Sequence, residues 1–372
     1  MNILFLSHLS NNIFAGPNYS VPAGIKAQQE YDSCYWVNLT HAYQEHWGQV
    51  ECFHNVEEFG VDGFSLEKLP LPFSTPDVVV FEGFYNQGLY DPLLAKRLKQ
   101  KRVPYIIVPR GSLTRQAMNN HGSLKKRLAH LFFYDTYCKD ALTIQYLTDQ
   151  EYRDSYKLWN PSHIILPNGF NKPEVMKDSF SDNGIRVVYI GRPDKYHKGL
   201  DILWEAMRNV REELLQASVS LDFYAPIGKN DYSFLERQIV AYGLQGVVFM
   251  HDKIGGKEKE DALLASDLFI MTSRFEGHPM GLIEALAYGL PALVTPGTNM
   301  AKEIRESDAG WTCEGTVDGV TEALKQVIRE RDSLSIKGRN AVLLAQKYNW
   351  SLIANDFHNL VQCLLKKEEH EI

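Results

Sequence analysis

The chain has 372 residues, a net charge of −7, 44% hydrophobic residues and 23% charged ones, the balance of a soluble globular protein with room for two domains of ordinary size. An acidic chain without a binding motif argues against a nucleic-acid partner, and no apolar run approaches the length needed to cross a bilayer. The cysteines (Cys34, Cys52, Cys138, Cys313, Cys363) are odd in number and scattered, which fits neither a disulfide frame nor a cysteine zinc site and suits a reducing, cytoplasmic setting.

The opening MNILFLSHLS has only a short apolar run, Ile3 to Leu6, too short for a signal peptide and right for a buried first strand. The following NNIFAGPNYSVPAGI reads as a loop. Further strands are predicted at Tyr35–Asn38, Val78–Phe81, Tyr105–Val108, Leu142–Gln145 and Ile164–Leu166, with helices near 90–101, 123–135 and 149–158. The second half alternates more cleanly. Its predicted strands are Arg186–Ile190, Ser218–Phe223, Val247–Met250, Leu268–Met271 and Ala292–Val294; its helices lie near 199–215, 231–242, 258–265, 281–288 and 317–330. Such alternation predicts parallel sheets covered by helices on both faces, an α/β protein with two sheets in tandem. The turn-rich segment Pro167–Gly184 is the natural join. The reading is therefore a first domain at 1–170, a second at 171–349, and an amphipathic helix at 350–372 that either closes the second domain or returns to the first.

Two loops in the second half carry the functional signal. Strand Val187–Ile190 runs into GRPDKYHKGLDIL, which places Gly191, Arg192 and Lys198 between a strand and a helix, where parallel sheets open into ligand crevices. Two cations beside a helix amino end suit a diphosphate; ordinary solvated charges are the equal alternative. Strand Leu268–Met271 runs into TSRFEGHPMGLIEALAYGLP, with Glu276 in the loop and Glu284 in the first turns of the next helix. Carboxylates accept only, so this pair suits a hydroxyl-rich ligand, while amides around Gly277, His278, Pro279, Met280, Gly281 and Leu282 suit phosphate. Alternatively, Glu284 complements the helix dipole and Glu276 is merely solvated. Both loops belong to one sheet edge, and a cationic loop meeting a polyol-binding loop describes a nucleotide-sugar pocket.

IGRPDKYHKGLDIL, SRFEGHPMGLIEALAYGLP and ILPNGF together resemble the retaining glycosyltransferases of family 4 (glycosyl transferases group 1), over almost the full chain. The resemblance implies the GT-B fold, two Rossmann-like domains facing a central cleft, and transfer of a hexose-type sugar from a nucleotide diphosphate to a saccharide acceptor, in some members lipid-linked, in bacterial surface-polysaccharide synthesis. It implies a UDP-sugar donor, with a GDP-sugar as the alternative, and no other cofactor. Arg192 and Lys198 would hold the phosphates, Glu276 the sugar hydroxyls and Glu284 the ribose, with Arg192, Lys198 and Glu276 counted as catalytic. In the first domain the family's Gly-rich loop is matched only in part, by Gly16 before Pro17. Arg110, in PRGSLTRQ, stands where some members carry histidine; it either contacts the donor or an acceptor phosphate, or pins a loop through an ion pair. A last helix returning to the first domain is the family pattern for 350–372.

No metal is expected: His121 and the other histidines show no ligand spacing, and no Asp-x-Asp pair is present, so Arg192 and Lys198 would act without one. Between Pro92 and Tyr134 there is no acidic residue, against Lys96, Arg97, Lys99, Lys101, Arg102, Arg110, Arg115, Lys125, Lys126 and Arg127. Interleaved with Leu124, Leu128, Leu131, Phe132 and Phe133, the stretch 96–127 and its continuation suit either an anionic leaflet, on the inner face of the plasma membrane, or a solvated helix over a core. Two rivals to a transferase stay open, an epimerase or phosphorylase on the same fold and a non-catalytic partner protein.

Overall fold

The computed structural model describes residues 1–12, 15–85, 88–119, 128–226 and 229–371. The chain divides into two compact units, one comprising Met1–Gly169 with Trp350–Ile372, the other Phe170–Asn349.

Unit 1 is built on a seven-stranded sheet: β1 (Asn2–Ser7), β2 (Ser33–Asn38), β3 (Phe53–Asn55), β4 (Val78–Glu82), β5 (Tyr105–Val108), β6 (Thr143–Tyr146) and β7 (His163–Ile165), in the order β3-β2-β1-β4-β5-β6-β7. Every pairing is parallel. These strands are continuous apolar runs because both faces are covered. Leu4, Leu6, Val79, Phe81 and Ile107 enter one core cluster; Ile3, Phe5, Val78, Val80 and Ile106 enter another on the opposite face. The helix Trp350–Glu371 contributes Phe357 and Val361 to the second cluster. Its first residue, Trp350, lies so close to Gly169 that a Cβ there would fall 2.5 Å from the indole ring. Buried Asp32 anchors the same helix: the Met1 amine donates to it at 2.7 Å and His358 Nδ1 lies 2.9 Å away.

Unit 2 has six parallel strands, β8 (Ile185–Ile190), β9 (Val219–Tyr224), β10 (Val248–His251), β11 (Leu268–Met271), β12 (Ala292–Val294) and β13 (Gly310–Thr312), in the order β10-β9-β8-β11-β12-β13. The helix Leu200–Asn209, after β8, packs Leu200, Leu203, Trp204 and Met207 on one face with Val187 and Tyr189. The helix Met280–Ala287, after β11, packs Leu282, Ile283 and Leu286 on the other face with Val188 and Phe269. Chain order thus reverses between β8 and β11, and their connections leave on opposite faces. That is the position at which an open parallel sheet forms a ligand crevice.

The differences from the sequence reading have local causes. Residues read as a loop after β1 form a helix, Pro17–Gln28, with Gly16 as its N-cap and Pro17 at its first position, where a missing amide is tolerated; Pro22 lies inside it. The short strands β3 and β13 and the helices Ala301–Glu306 and Leu334–Ala345 are additions to the sequence reading, the two strands having no apolar run to signal them. The helix read at 199–215 is broken at Val210 (φ −116°) into Leu200–Asn209 and Arg211–Gln216. The helix read near 123–135 lies in part outside the described residues, as do His121, Leu124, Lys125, Lys126 and Arg127; its described part contains a π-turn, His130–Tyr134, which leads into the helix Asp135–Lys139. The helix read at 149–158 stops at Arg153.

Candidate active site

The loop after β8 begins with Gly191, whose amide donates to the Tyr224 carbonyl of β9 at 3.1 Å. The exposed Arg192 takes a hydrogen bond from Tyr189 Oη on its carbonyl at 2.8 Å, and its guanidinium has no hydrogen bond or ion pair among the described residues. The loop then curls into a turn: the Asp194 carboxylate accepts from the His197 amide at 2.8 Å and the Asp194 carbonyl from the Lys198 amide at 3.0 Å. Gly199 ends it at φ +63°, the left-handed conformation that starts the Leu200–Asn209 helix.

The loop after β11 is fastened against that turn. Thr272 Oγ1 lies 3.2 Å from both the Lys198 and the Gly199 carbonyls, and the Arg274 amide donates to the His197 carbonyl at 2.9 Å. The Arg274 guanidinium forks onto both Asp201 oxygens at 2.7 Å each and donates to the Tyr196 carbonyl at 2.7 Å. A third segment, after β12, braces the second: Thr295 Oγ1 donates to the Ser273 carbonyl at 2.7 Å, and Asn299 donates to the Glu276 and Gly277 carbonyls.

This fastening brings Lys198 and Glu276 together. Lys198 Nζ donates to Glu276 Oε1 at 2.6 Å, each side chain being only 11% exposed. Ser273 Oγ donates to the same oxygen at 2.6 Å, and His197 Nε2 lies 3.9 Å from Oε2. Glu276 is thus not the solvated carboxylate that the sequence left open. The His197 ring stacks on Phe275 at 4.1 Å, and burial lowers its pKa from the ordinary histidine value against the pull of Glu276. Glu284 occupies a separate position on the Met280–Ala287 helix. Burial pushes its carboxyl up while Lys259, 2.6 Å away on the helix Gly256–Ala265, draws it back down.

The amides of Leu282 and Ile283 donate to the Pro279 carbonyl, and the amides ahead of them head a helix with no intrahelical acceptor. That helix start rests on the end of β8: a Cβ on Gly281 would sit 3.6 Å from the Ile190 carbonyl. His278 is buried against Tyr348, ring centroids 5.2 Å apart, and desolvation pushes its pKa down to about 3. Because its folded value lies below the unfolded one, this histidine contributes stability that is whole above about pH 6.5 and is lost as pH falls toward 3. Chemical denaturation at pH 7 and pH 5 is expected to show about 2 kcal/mol less loss in His278→Gln than in the wild type; equal losses would contradict it.

Gly16 and Arg110 belong to unit 1. Gly16 (φ −50°) has no described residue within 4 Å of where a Cβ would stand, and its backbone does not demand a glycine. Arg110 is tied down: its guanidinium reaches Glu82 at 2.8 and 2.9 Å, Ser20 at 3.2 Å and Asn168 at 3.1 Å. The ion pair that the sequence offered as one reading of Arg110 is formed, with Glu82. Among the described residues no cluster of three or more His, Cys, Asp or Glu side chains is placed to hold a metal ion, and no helix is long and apolar enough to cross a membrane.

Residues 171–342 match the family described as glycosyl transferases group 1. The phosphatidyl-myo-inositol mannosyltransferase of Mycobacterium leprae is 24% identical over 202 residues, 52% of this chain and 51% of that protein, so the match spans about half of that relative. Among solved structures, the sucrose-phosphate synthase of Thermosynechococcus elongatus superposes with a TM-score of 0.73 at 15% identity, covering 99% of this chain and 100% of that one. HepE of Anabaena in complex with UDP superposes at 0.74 with 16% identity, covering 98% and 100%; the same protein is also solved with UDP-glucose. The fold is that of the GT-B glycosyltransferase structures, two Rossmann-like parallel-sheet domains.

Proposed function

We propose that this protein is a glycosyltransferase whose nucleotide-sugar donor binds at the carboxyl edge of the unit 2 sheet, between β8 and β11. The observation that carries the proposal is the Lys198–Glu276 pair, in which a cation from one switch-point loop and a carboxylate from the other meet at 2.6 Å. The match of residues 171–342 to glycosyl transferases group 1 supports it, since that segment contains both loops.

In this reading the free protein keeps the two groups on each other, and the donor separates them. Lys198 moves onto the diphosphate beside Arg192, and Glu276 accepts from hydroxyls of the sugar. Glu284, steadied by Lys259, accepts from the ribose, and amides at the start of the Met280–Ala287 helix hold phosphate oxygens. In the transfer, the bond from the anomeric carbon to the diphosphate oxygen breaks, its electron pair leaving with the nucleoside diphosphate. A bond to the acceptor oxygen forms on the same face, and the acceptor proton passes to the departing phosphate, which retains configuration. The developing charge is met by the cations that the bound donor has gathered and by the fixed amides of the helix start. No metal is required in this scheme.

A UDP-sugar is the first choice of donor, favoured by the UDP and UDP-glucose complexes of HepE, with a GDP-sugar second. Thermal unfolding with UDP-, GDP- and ADP-sugars is expected to show a rise in Tm with one base class, and turnover on that donor is expected to survive EDTA. A panel with no stabilising ligand would remove the donor site, and abolition by EDTA would remove the metal-free scheme. Product analysis without acceptor separates transfer from epimerisation.

The acceptor is proposed to be a saccharide, lipid-linked, for a bacterial surface polysaccharide, at the cytoplasmic membrane face. Exposed Leu131, Phe132 and Phe133 support membrane contact, lying in the turn His130–Tyr134 that packs against the helix Tyr90–Gln100 with its Lys96, Arg97 and Lys99, and exposed Leu128 precedes them in sequence. Vesicles containing phosphatidylglycerol are expected to co-sediment the protein, and Leu131→Ser with Phe132→Ser to reduce this several-fold; equal binding by both proteins would exclude this surface.

A further inference from the structure

Glu276 has two carboxylate oxygens, and the free protein engages one of them. Lys198 Nζ and Ser273 Oγ both donate to Oε1, each at 2.6 Å. Oε2 accepts no hydrogen bond among the described residues, and His197 Nε2 stands 3.9 Å from it. That is about 1 Å beyond hydrogen-bond reach.

The imidazole is held at that spacing by contacts that do not involve the Glu276 side chain. Its ring lies flat on Phe275, centroids 4.1 Å apart and planes 12° from parallel. The His197 amide donates to the Asp194 carboxylate at 2.8 Å, and its carbonyl accepts from the Arg274 amide at 2.9 Å. These contacts persist when Lys198 leaves Glu276. The charged groups around the ring are Glu276 and Arg274 from the loop after β11, and Arg192, Asp194 and Lys198 from its own loop. The Arg274 guanidinium is already satisfied by Asp201.

In the free protein Lys198 and Glu276 largely cancel each other, so the ring feels little net attraction. Burial therefore keeps its pKa below the ordinary histidine value; Glu276 pulls it up, while Lys198 and Arg192 push it down. Donor binding reverses that balance. The diphosphate neutralises Lys198 and Arg192, and Glu276 keeps its charge while losing its ammonium partner. Both changes favour the imidazolium ion.

We propose that His197 replaces Lys198 as the cationic partner of Glu276 when the donor binds, which couples donor binding to the uptake of a proton. One proton passes from solvent to the ring, which then donates from Nε2 to Oε2, and no other covalent bond changes. His197 is thus a positioning residue. It holds Glu276 ionised and aimed, while Oε1, vacated by Lys198, accepts from the sugar. The departure of Lys198 rests on the donor-binding reading; the placement of His197 beside the unengaged oxygen does not.

Calorimetric titration of the full chain with UDP-glucose, at about pH 6.5 in buffers of different ionisation enthalpy, reads the proton directly. UDP-glucose carries no group that titrates near that pH, so the proton goes to the protein. GDP-mannose is the second probe. Uptake of roughly 0.3–0.8 proton is expected, with affinity roughly five-fold weaker at pH 8 than at pH 6. The sign follows from a pKa raised in the complex: the added affinity is present below the bound value and is lost as pH rises through it. In His197→Gln both the uptake and the pH dependence are expected to vanish. Glu284, whose carboxyl burial pushes up, is intact in that variant, so protons taken up there would survive the substitution. Donor binding without proton uptake in the wild type would overturn the proposal, and so would undiminished uptake in His197→Gln. If the variant binds no donor, ¹⁵N-histidine spectra of the wild type decide. The ring signals absent from His197→Gln are expected to titrate at higher pH with UDP-glucose than without it, and an unchanged midpoint would overturn the proposal. Binding of neither nucleotide sugar to the wild type would remove the donor site itself, and this proposal with it.

Discussion

Lys198→Ala is expected to lower kcat/KM for the nucleotide sugar by about 10²–10³-fold, the effect of losing one preorganised contact to developing charge. The reason lies in what surrounds the ammonium. Lys198 is nearly buried and has Glu276 as its partner at 2.6 Å. Removing it takes away a phosphate contact and also leaves Glu276 facing the donor with an uncompensated negative charge. Lys195, in the same loop but exposed, its ammonium without a hydrogen bond or ion pair among the described residues, is the control, and its alanine variant is expected to retain wild-type turnover. Steady-state kinetics with saturating acceptor checks both. A Lys198→Ala enzyme within three-fold of wild type would mean that the pair holds the loops together and does no more.

Gly199→Ala is expected to be the most damaging single substitution at the site. Gly199 adopts φ +63°, and a Cβ there would stand 2.1 Å from the Thr272 carbonyl oxygen and 3.0 Å from its carbon. Both obstacles are backbone of the neighbouring loop, so no side chain can swing aside. A left-handed L-residue already costs roughly 1–2 kcal/mol, and relieving the contact must part the two loops or shift the helix start. The expected loss of stability is at least about 3 kcal/mol, read by chemical denaturation, with donor binding lost in the same variant. Wild-type stability and donor affinity together in Gly199→Ala would mean that the loops are not held at this spacing.

The elements that position the site were legible because their cause is local. β11 is a four-residue apolar run bounded by polar residues, and its ends were read as they stand in the fold. β3 (Phe-His-Asn) and β13 (Gly-Trp-Thr) contain no apolar run, unlike the equally short β12 (Ala-Leu-Val); they exist because neighbouring strands supply their hydrogen bonds. The helix Pro17–Gln28 was hidden by its two prolines and the glycines in and before it, all of which count against helix in isolation, although proline at the first position is compatible with it.

Within the site, Lys198 and Glu276 could be named from their loops, but their pairing could not, since it depends on β8 and β11 being sheet neighbours. Lys259 had no signal at all: in GGKEKEDALL it is one lysine on a charged helix face, and only the fold sets it 2.6 Å from Glu284. Arg274 and Asp201, whose forked ion pair stitches the two loops, are likewise silent, because neither sits in a pattern that chemistry requires. Arg110 could be named as a candidate from its loop, but its partners Glu82, Ser20 and Asn168 come together around it only in the fold. An arginine's engagement depends on what the chain folds beside it.

The most direct measurement is a crystal structure of the protein with UDP. The expected result is UDP at the β8–β11 edge of unit 2, its diphosphate on Lys198 Nζ and the Met280–Ala287 helix start, with the Lys198–Glu276 contact opened from 2.6 Å. UDP bound elsewhere, or bound with that contact intact and no phosphate near Lys198, would contradict the donor site and with it the proposed activity.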